Sequence, residues 1–246
     1  MRIRQLVAAL FVLILSVTAG PAVGAFGQAG LLIEDVTLID GRGKWLIPGL
    51  MDMHIHLEGG RGRGGSNETA GVSALHGFLY AWFTSVFDAG NTADFIFDLR
   101  RRERAGELIA PRIFATGALV TVPGGHGGGG GSTLVESWPE AIPALDAHIA
   151  REPDVVKLTF DEHGWGTRPL IPLLPPALMA RVGQYFNEHG IRTTVHISHE
   201  FRARQAMAAG INTLAHPIIQ GPVSEGFVTL MAATKTPMVS TLTIGE

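Results

Sequence analysis

The sequence predicts an α/β fold, a (β/α)8 TIM-like barrel of parallel strands that falls one strand–helix unit short of closure. Three observations predict it. Strand-like and helix-like segments alternate from about residue 44 onward, and such alternation argues for parallel strands joined by crossover helices. Seven strand candidates occur, where a closed barrel needs eight and typically about 250 residues by itself. Two glycine-rich stretches, Gly59–Ser66 and Gly124–Ser132, each follow a strand candidate, which puts them at the carboxyl-end rim where such barrels build their sites.

In chain order the first segment is MRIRQLVAALFVLILSVTAGPAVGA. Two arginines precede an apolar run from Leu6 to Ala19, then Gly20-Pro21 and small residues end at Ala25. This is the layout of an export signal over residues 1–25, and the run is short for a membrane span. The mature chain is expected to be exported, with an uncleaved membrane anchor as the alternative. The chain has no cysteine, which excludes a lipid-modified cysteine after the signal, thiolate zinc sites and a cysteine nucleophile. Any metal must sit on nitrogen and oxygen ligands.

Residues 26–43 carry one β-like run, LLIEDVTLID, ending at Gly41-Arg42-Gly43, and read as a β stub outside the barrel. The barrel is expected over residues 44–246. Its first strand lies in KWLIPGLMDMHIH, after a Pro-Gly turn. The other strand candidates are Ser85–Asp88, Arg112–Ala118, Val155–Phe160, Thr193–Ile197, Thr213–His216 and Met238–Leu242. Helix-like stretches between them run near Glu68–Ala81, Asp94–Gly106, Trp138–Arg151, Pro176–Gly190, Glu200–Gly210 and Ser224–Thr234. Gly106, Gly190 and Gly210 fall just past helix ends, where a left-handed cap favours glycine.

Composition narrows the function classes. The 246 residues are 46% hydrophobic and 17% charged, with 19 basic against 22 acidic residues and a net charge of -3. That leaves no general polyanion-binding surface, so nucleic acid is not an expected partner. Arg100, Arg101, Arg102 and Arg104 stand among Glu103 and Glu107 and read as a solvated helix face.

Candidate chemistry sits at strand ends. Residues i and i+2 of a strand share a face, so His54 and His56 point together and could bind one divalent cation. On the period-2 pattern Val155, Lys157 and Thr159 share a face. If that face is the lumen, the Lys157 amine is desolvated, its pKa should fall, and a neutral amine can add carbon dioxide to form a carbamate. His196 in TTVHISHE and His216 in NTLAHPI stand at the ends of successive strands, one strand–helix unit apart. His126 lies in the second glycine-rich stretch, either facing a substrate or in solvent.

PGLMDMHIH, VVKLTF, VHIS and LAHP, in this order, resemble the stations of the amidohydrolase superfamily, in particular its imidazolonepropionase-like and prolidase-like branch. The resemblance runs from about Leu31 to Glu246. It implies two divalent metal ions, with zinc as first choice, on His54, His56, His196 and His216, bridged by a carbamate on Lys157. It also implies a hydrolase of carbon–nitrogen bonds whose metal-bridging hydroxide attacks a small amide or dipeptide-like substrate. Ester, lactone or phosphotriester cleavage is the alternative within hydrolysis. Family members often carry a second histidine two residues after the strand-five ligand; here Ser198 stands there with His199 beside it, so His199 joins His126 as a candidate substrate contact.

Two departures qualify the resemblance. The family's catalytic aspartate at the end of strand eight has no counterpart, because the last aspartate of the sequence is Asp161. The strands of a small β-sandwich that the family inserts between segments like VTLIDG and KWLIPGL are missing too, leaving residues 26–43 as its remnant. The expectation is therefore a chain inactive or incomplete as an enzyme, or a non-catalytic metal-binding barrel or subunit. Its open barrel edge would need covering, for instance by an oligomer.

Overall fold

The computed structural model describes residues 47–57, 67–129, 131–163 and 169–241. The expected export signal, the β stub and the first glycine-rich stretch lie outside the described residues. The chain divides into two compact units, Met1–Leu46 and Ile47–Glu246, and everything described belongs to the second.

The elements run β1 (Leu50–Ile55), α1 (Glu68–Tyr80), β2 (Phe83–Asp88), α2 (Ala93–Arg104), β3 (Arg112–Ala115), β4 (Val120–Thr121) and β5 (Thr133–Leu134). They continue with α3 (Trp138–Ile149), β6 (Val156–Thr159), α4 (Pro176–Glu188), β7 (Thr193–His196), α5 (Glu200–Ala208), β8 (Thr213–Leu214) and α6 (Glu225–Thr234). Local chemistry sets several boundaries. Asn67 caps α1 by accepting from the Ala70 amide, and Ser224 caps α6 by accepting from the Phe227 amide. Past α4 and α5 the chain turns through Gly190 (φ 75°) and Gly210 (φ 81°), a left-handed conformation that a Cβ would strain.

Among the described residues all the strand pairings are parallel, as the alternation predicts, but they form two sheets and no closed barrel: β1-β2-β3 and β5-β4-β6-β7-β8. Side chains interrupt the ladder between β3 and β6. The Ala115 amide donates to Asp154 Oδ2 (2.9 Å) and the Lys157 amide to Thr116 Oγ1 (2.8 Å). These take the place of backbone partners, although the Asp154 amide still reaches Ala115 O (3.0 Å). Arg100 (2.7 Å) and Arg104 (3.2 Å) hold the Asp154 carboxylate, so part of the arginine cluster works as a clamp between α2 and the β6 entry. Arg101 and Arg102 pair with Asp98, Glu107 and Glu68 on the solvated face that the sequence suggests.

Two features were not legible in the alternation. The two-residue strands β4 and β5 flank the second glycine-rich stretch, and β4 inserts beside β6. Of the last strand candidate, Met238–Leu242, Leu242 lies outside the described residues, and the rest shows a single bridge between Leu214 and Met238, supported by bonds from the Leu214 amide to Pro237 O and from the Val239 amide to Leu214 O.

One apolar core lies under β4, β6, β7 and β8, around Leu158, Phe160, Phe186 and Val195. A second lies under β1, β2 and β3, around Leu75, Ile96, Leu99 and Ile113. At the open side, Leu50, Met51 and Met53 of β1 are 46%, 58% and 48% exposed, high for apolar side chains of a barrel strand. Among the described residues β1 pairs on one side only. No helix of the described residues is long and apolar enough to cross a membrane.

Candidate metal centre

Four parallel strands deliver their carboxyl ends to one cavity of about 990 Å³, and His54, His56, His126, Lys157, His196 and His216 all line it. The β6–β7 register puts Thr159 beside His196, while the β1–β2 register puts Ile55 beside Asp88. The rings pack closely: His54 to His216 at 4.4 Å, His196 to His216 at 4.6 Å, and His54 to His56 at 5.3 Å between centroids.

Backbone carbonyls set two of the tautomers. His54 Nδ1 is 2.9 Å from Ala215 O and His56 Nδ1 is 2.7 Å from Gly90 O. A carbonyl only accepts, so each Nδ1 carries the proton and each Nε2 keeps a lone pair. A ring nitrogen tied to the protein in this way is common among metal-binding histidines, and the other nitrogen of His54 is engaged by Lys157. His216 Nδ1 contacts Thr241 Oγ1 at 2.9 Å. Gly90 is itself placed by Asp88, whose Oδ1 accepts from the Gly90 amide (3.0 Å) and whose Oδ2 accepts from Leu57 (2.8 Å) and Asn91 (2.8 Å).

Lys157 is 2% exposed, and its Nζ lies 2.8 Å from His54 Nε2. The amine donates into the lone pair that the Ala215 carbonyl leaves on that ring. Lys157 lines the cavity together with Val155, which shares its strand face.

The electrostatics keep the imidazoles neutral. Burial, then the Lys157 amine and His56, lowers the His54 pKa to about 3. Burial, then His196, Lys157 and His54, holds His216 far below its ordinary value. His196 is also lowered, by burial first, with Asp161 opposing and Lys157 adding. Neutral imidazole is the form that ligates a cation. The neutral imidazoles of His54, His196 and His216, with His56 and the amine beside them, are a donor set suited to zinc-like ions. Among the described residues no three His, Cys, Asp or Glu side chains already surround a common point, because the rings pack on one another and Lys157 engages His54 Nε2.

His126 enters from the loop after β4. Thr159 Oγ1 donates to His126 O (3.0 Å) and lies within hydrogen-bonding distance of the Thr121 hydroxyl (2.7 Å), tying the loop to β6. The His126 ring stacks on His196 at 3.8 Å with 15° between planes. His199 is not brought to the cavity. It stands at the N-cap position of α5 without a side-chain capping bond, with Nδ1 3.1 Å from Ser198 Oγ and its ring 4.3 Å from that of His163. The strand ends at His196 and the chain turns away before His199, which one-residue spacing in the sequence does not reveal.

Sequence reasoning also passed over Asp161 as a member of the site. It is 2% exposed, and its Oδ2 stands 3.2 Å from His196 Nε2. Burial alone would raise its carboxyl, but His196, the His163 amide and Ser198 outweigh this and hold it below the usual carboxylate range. An acidic residue four positions after a buried lysine, at a strand end, was the available signal.

The amidohydrolase family model matches residues 45–241. Solved structures similar to the chain include a Xaa-Pro dipeptidase with bound methionine, at 21% identity and TM-score 0.64, over 78% of this chain and 52% of that one. A prolidase complexed with N-methylphosphonate-L-proline is similar at 21% identity and TM-score 0.70, over 87% and 57%. Molinate hydrolase is similar at 18% identity and TM-score 0.66, over 85% and 54%. At these identities the likeness is one of fold, and the chain spans about half the length of the structures it matches. No curated protein matches it.

Proposed function

The chain belongs to the amidohydrolase family, and from that premise we propose that it is a metal-dependent hydrolase of carbon–nitrogen bonds in small amide or dipeptide-like substrates. The observation that carries the reading is the convergence of His54, His56, His196, His216 and Lys157 on one cavity. Fold likeness to a Xaa-Pro dipeptidase and a prolidase supports the dipeptide-like class.

His54 and His56 would hold one divalent ion, their Nδ1 protons being committed to Ala215 and Gly90. His196 and His216 would hold a second, and Lys157, as a carbamate formed by adding carbon dioxide to its amine and losing a proton, would supply an anionic oxygen ligand to them. Such ions polarise a scissile carbonyl and activate water. His126, anchored through Thr159 and stacked on His196, forms the cavity wall against which the substrate rests. Residues 1–25 act as an export signal and residues 26–43 are the remnant of a β-sandwich.

A specific observation favours a second reading. Asp52 is the one acidic side chain among the described residues lining the cavity, and its Oδ1 is engaged by the His54 amide at 3.0 Å. With its one lining carboxylate so engaged, the cavity supports as second reading a metal-binding barrel with little or no turnover. The test is to prepare residues 26–246 with zinc and bicarbonate, count bound metal, and assay dipeptides and N-acyl amino acids. Two metals with turnover support the hydrolase; two metals without it support the binding barrel. A folded, metal-free product refutes both.

A further inference from the structure

We propose that Asp161 is a positioning residue that locks His196 in its Nε2–H tautomer and thereby makes Nδ1 the nitrogen His196 offers to the cavity. The inference rests on the metal-centre reading for its consequence, but not for its geometry.

His196 and Asp161 are 1% and 2% exposed, and Asp161 does not line the cavity, so the carboxylate acts only through the ring. Oδ2 and Nε2 are 3.2 Å apart, within hydrogen-bonding distance, although their present alignment is poor enough that Oδ2 makes no well-directed bond. A buried carboxylate oxygen needs a donor, and a small ring rotation supplies it if Nε2 carries the proton. The other oxygen, Oδ1, already accepts from the His163 amide at 3.0 Å. Neighbouring Glu162 fixes the same turn by a two-pronged ion pair to Arg202 of α5, with Nε to Oε2 at 2.9 Å. The carboxylate is therefore fixed through Oδ1 and through the anchored turn that carries it, with Oδ2 left facing the ring.

This geometry makes Asp161→Asn informative. The amide oxygen must take the Oδ1 place to keep the His163 amide satisfied. The NH2 group then faces His196 Nε2 as a donor, and the ring must answer with a lone pair there. The proton moves to Nδ1, and the nitrogen facing the cavity loses its lone pair.

The experiment is a long-range ¹H–¹⁵N correlation spectrum of the metal-free, ¹⁵N-histidine-labelled chain at about pH 8, where an imidazole is neutral. His196→Asn assigns the signal. The expected result is the Nε2–H pattern in the native chain and the Nδ1–H pattern in Asp161→Asn. Cobalt titration should then show roughly 10–100-fold weaker binding for the variant. A native His196 in the Nδ1–H form overturns the proposal without any variant, which covers the case of an Asp161→Asn chain that does not fold. An unchanged tautomer in a folded variant overturns it equally. A native chain that binds no cobalt refutes the metal-centre reading instead, and the tautomer spectrum still decides the role of Asp161.

Discussion

Replacing Lys157 by methionine separates its role as a ligand from any role in holding the fold. The side chain is 2% exposed, and its amine lies 2.8 Å from His54 Nε2. Methionine keeps most of the stem and removes the amine. Losing the amine strands His54 Nε2, which costs about 1–3 kcal/mol for a dry site. Here the nitrogen faces a cavity of about 990 Å³, large enough for water to replace the donor, so the low end applies. Against this, removing a buried amine recovers its desolvation penalty, several kcal/mol if charged and about 1–3 kcal/mol if neutral. The balance favours the variant by about 1–3 kcal/mol in the metal-free chain. The His54 pKa should rise from about 3, because the Lys157 contribution disappears, yet stay below 6.5 because burial is its larger cause. Urea melts with EDTA measure stability, and zinc counting after loading with bicarbonate measures ligation. The expected result is a more stable metal-free chain that retains at most one metal. Two tightly held metals in the variant would show that Lys157 bridges nothing. Destabilisation beyond about 1 kcal/mol would show that the buried amine is a net structural asset.

Acid should destabilise the metal-free chain. The folded pKa of His54 is lowered to about 3 from 6.5, so the unfolded chain takes up the proton first and stability falls as pH drops below about 6.5. His196 and His216 act in the same direction, each adding up to about 1.4 kcal/mol per pH unit; equal urea midpoints at pH 7 and pH 5 would refute this. Gly125→Ala places a Cβ 2.8 Å from Val122 Cγ2 and 3.0 Å from Pro172 O, so the loop bearing His126 must shift, at about 1–3 kcal/mol. Weakened substrate binding with unchanged metal content is the expected readout, and unaltered kinetics would release His126 from the site. Among the described residues β1 pairs on one side only and exposes apolar side chains, which should drive self-association that light scattering across a dilution series detects; a monomer with a single cooperative melt would contradict it.

The order of the site along the chain was determined by the sequence itself. Strand periodicity puts His54 and His56 on one face and turns Lys157 inward, and glycines past α4 and α5 end the helices on schedule. These are consequences of neighbours a few residues apart, so a linear reading recovers them. Tertiary structure decided what each group can do. The carbonyls that choose the tautomers of His54 and His56 lie 161 and 34 residues away, and Asp161 meets His196 only because β6 and β7 are adjacent. His199, one residue from a position the family pattern singles out, faces His163 because the chain turns outward after β7. β4 beside β6 and the side-chain bonds that replace the β3–β6 ladder are likewise products of long-range pairing. A strand's pattern fixes which face a side chain occupies. The proton on its ring is fixed by whatever the fold brings opposite.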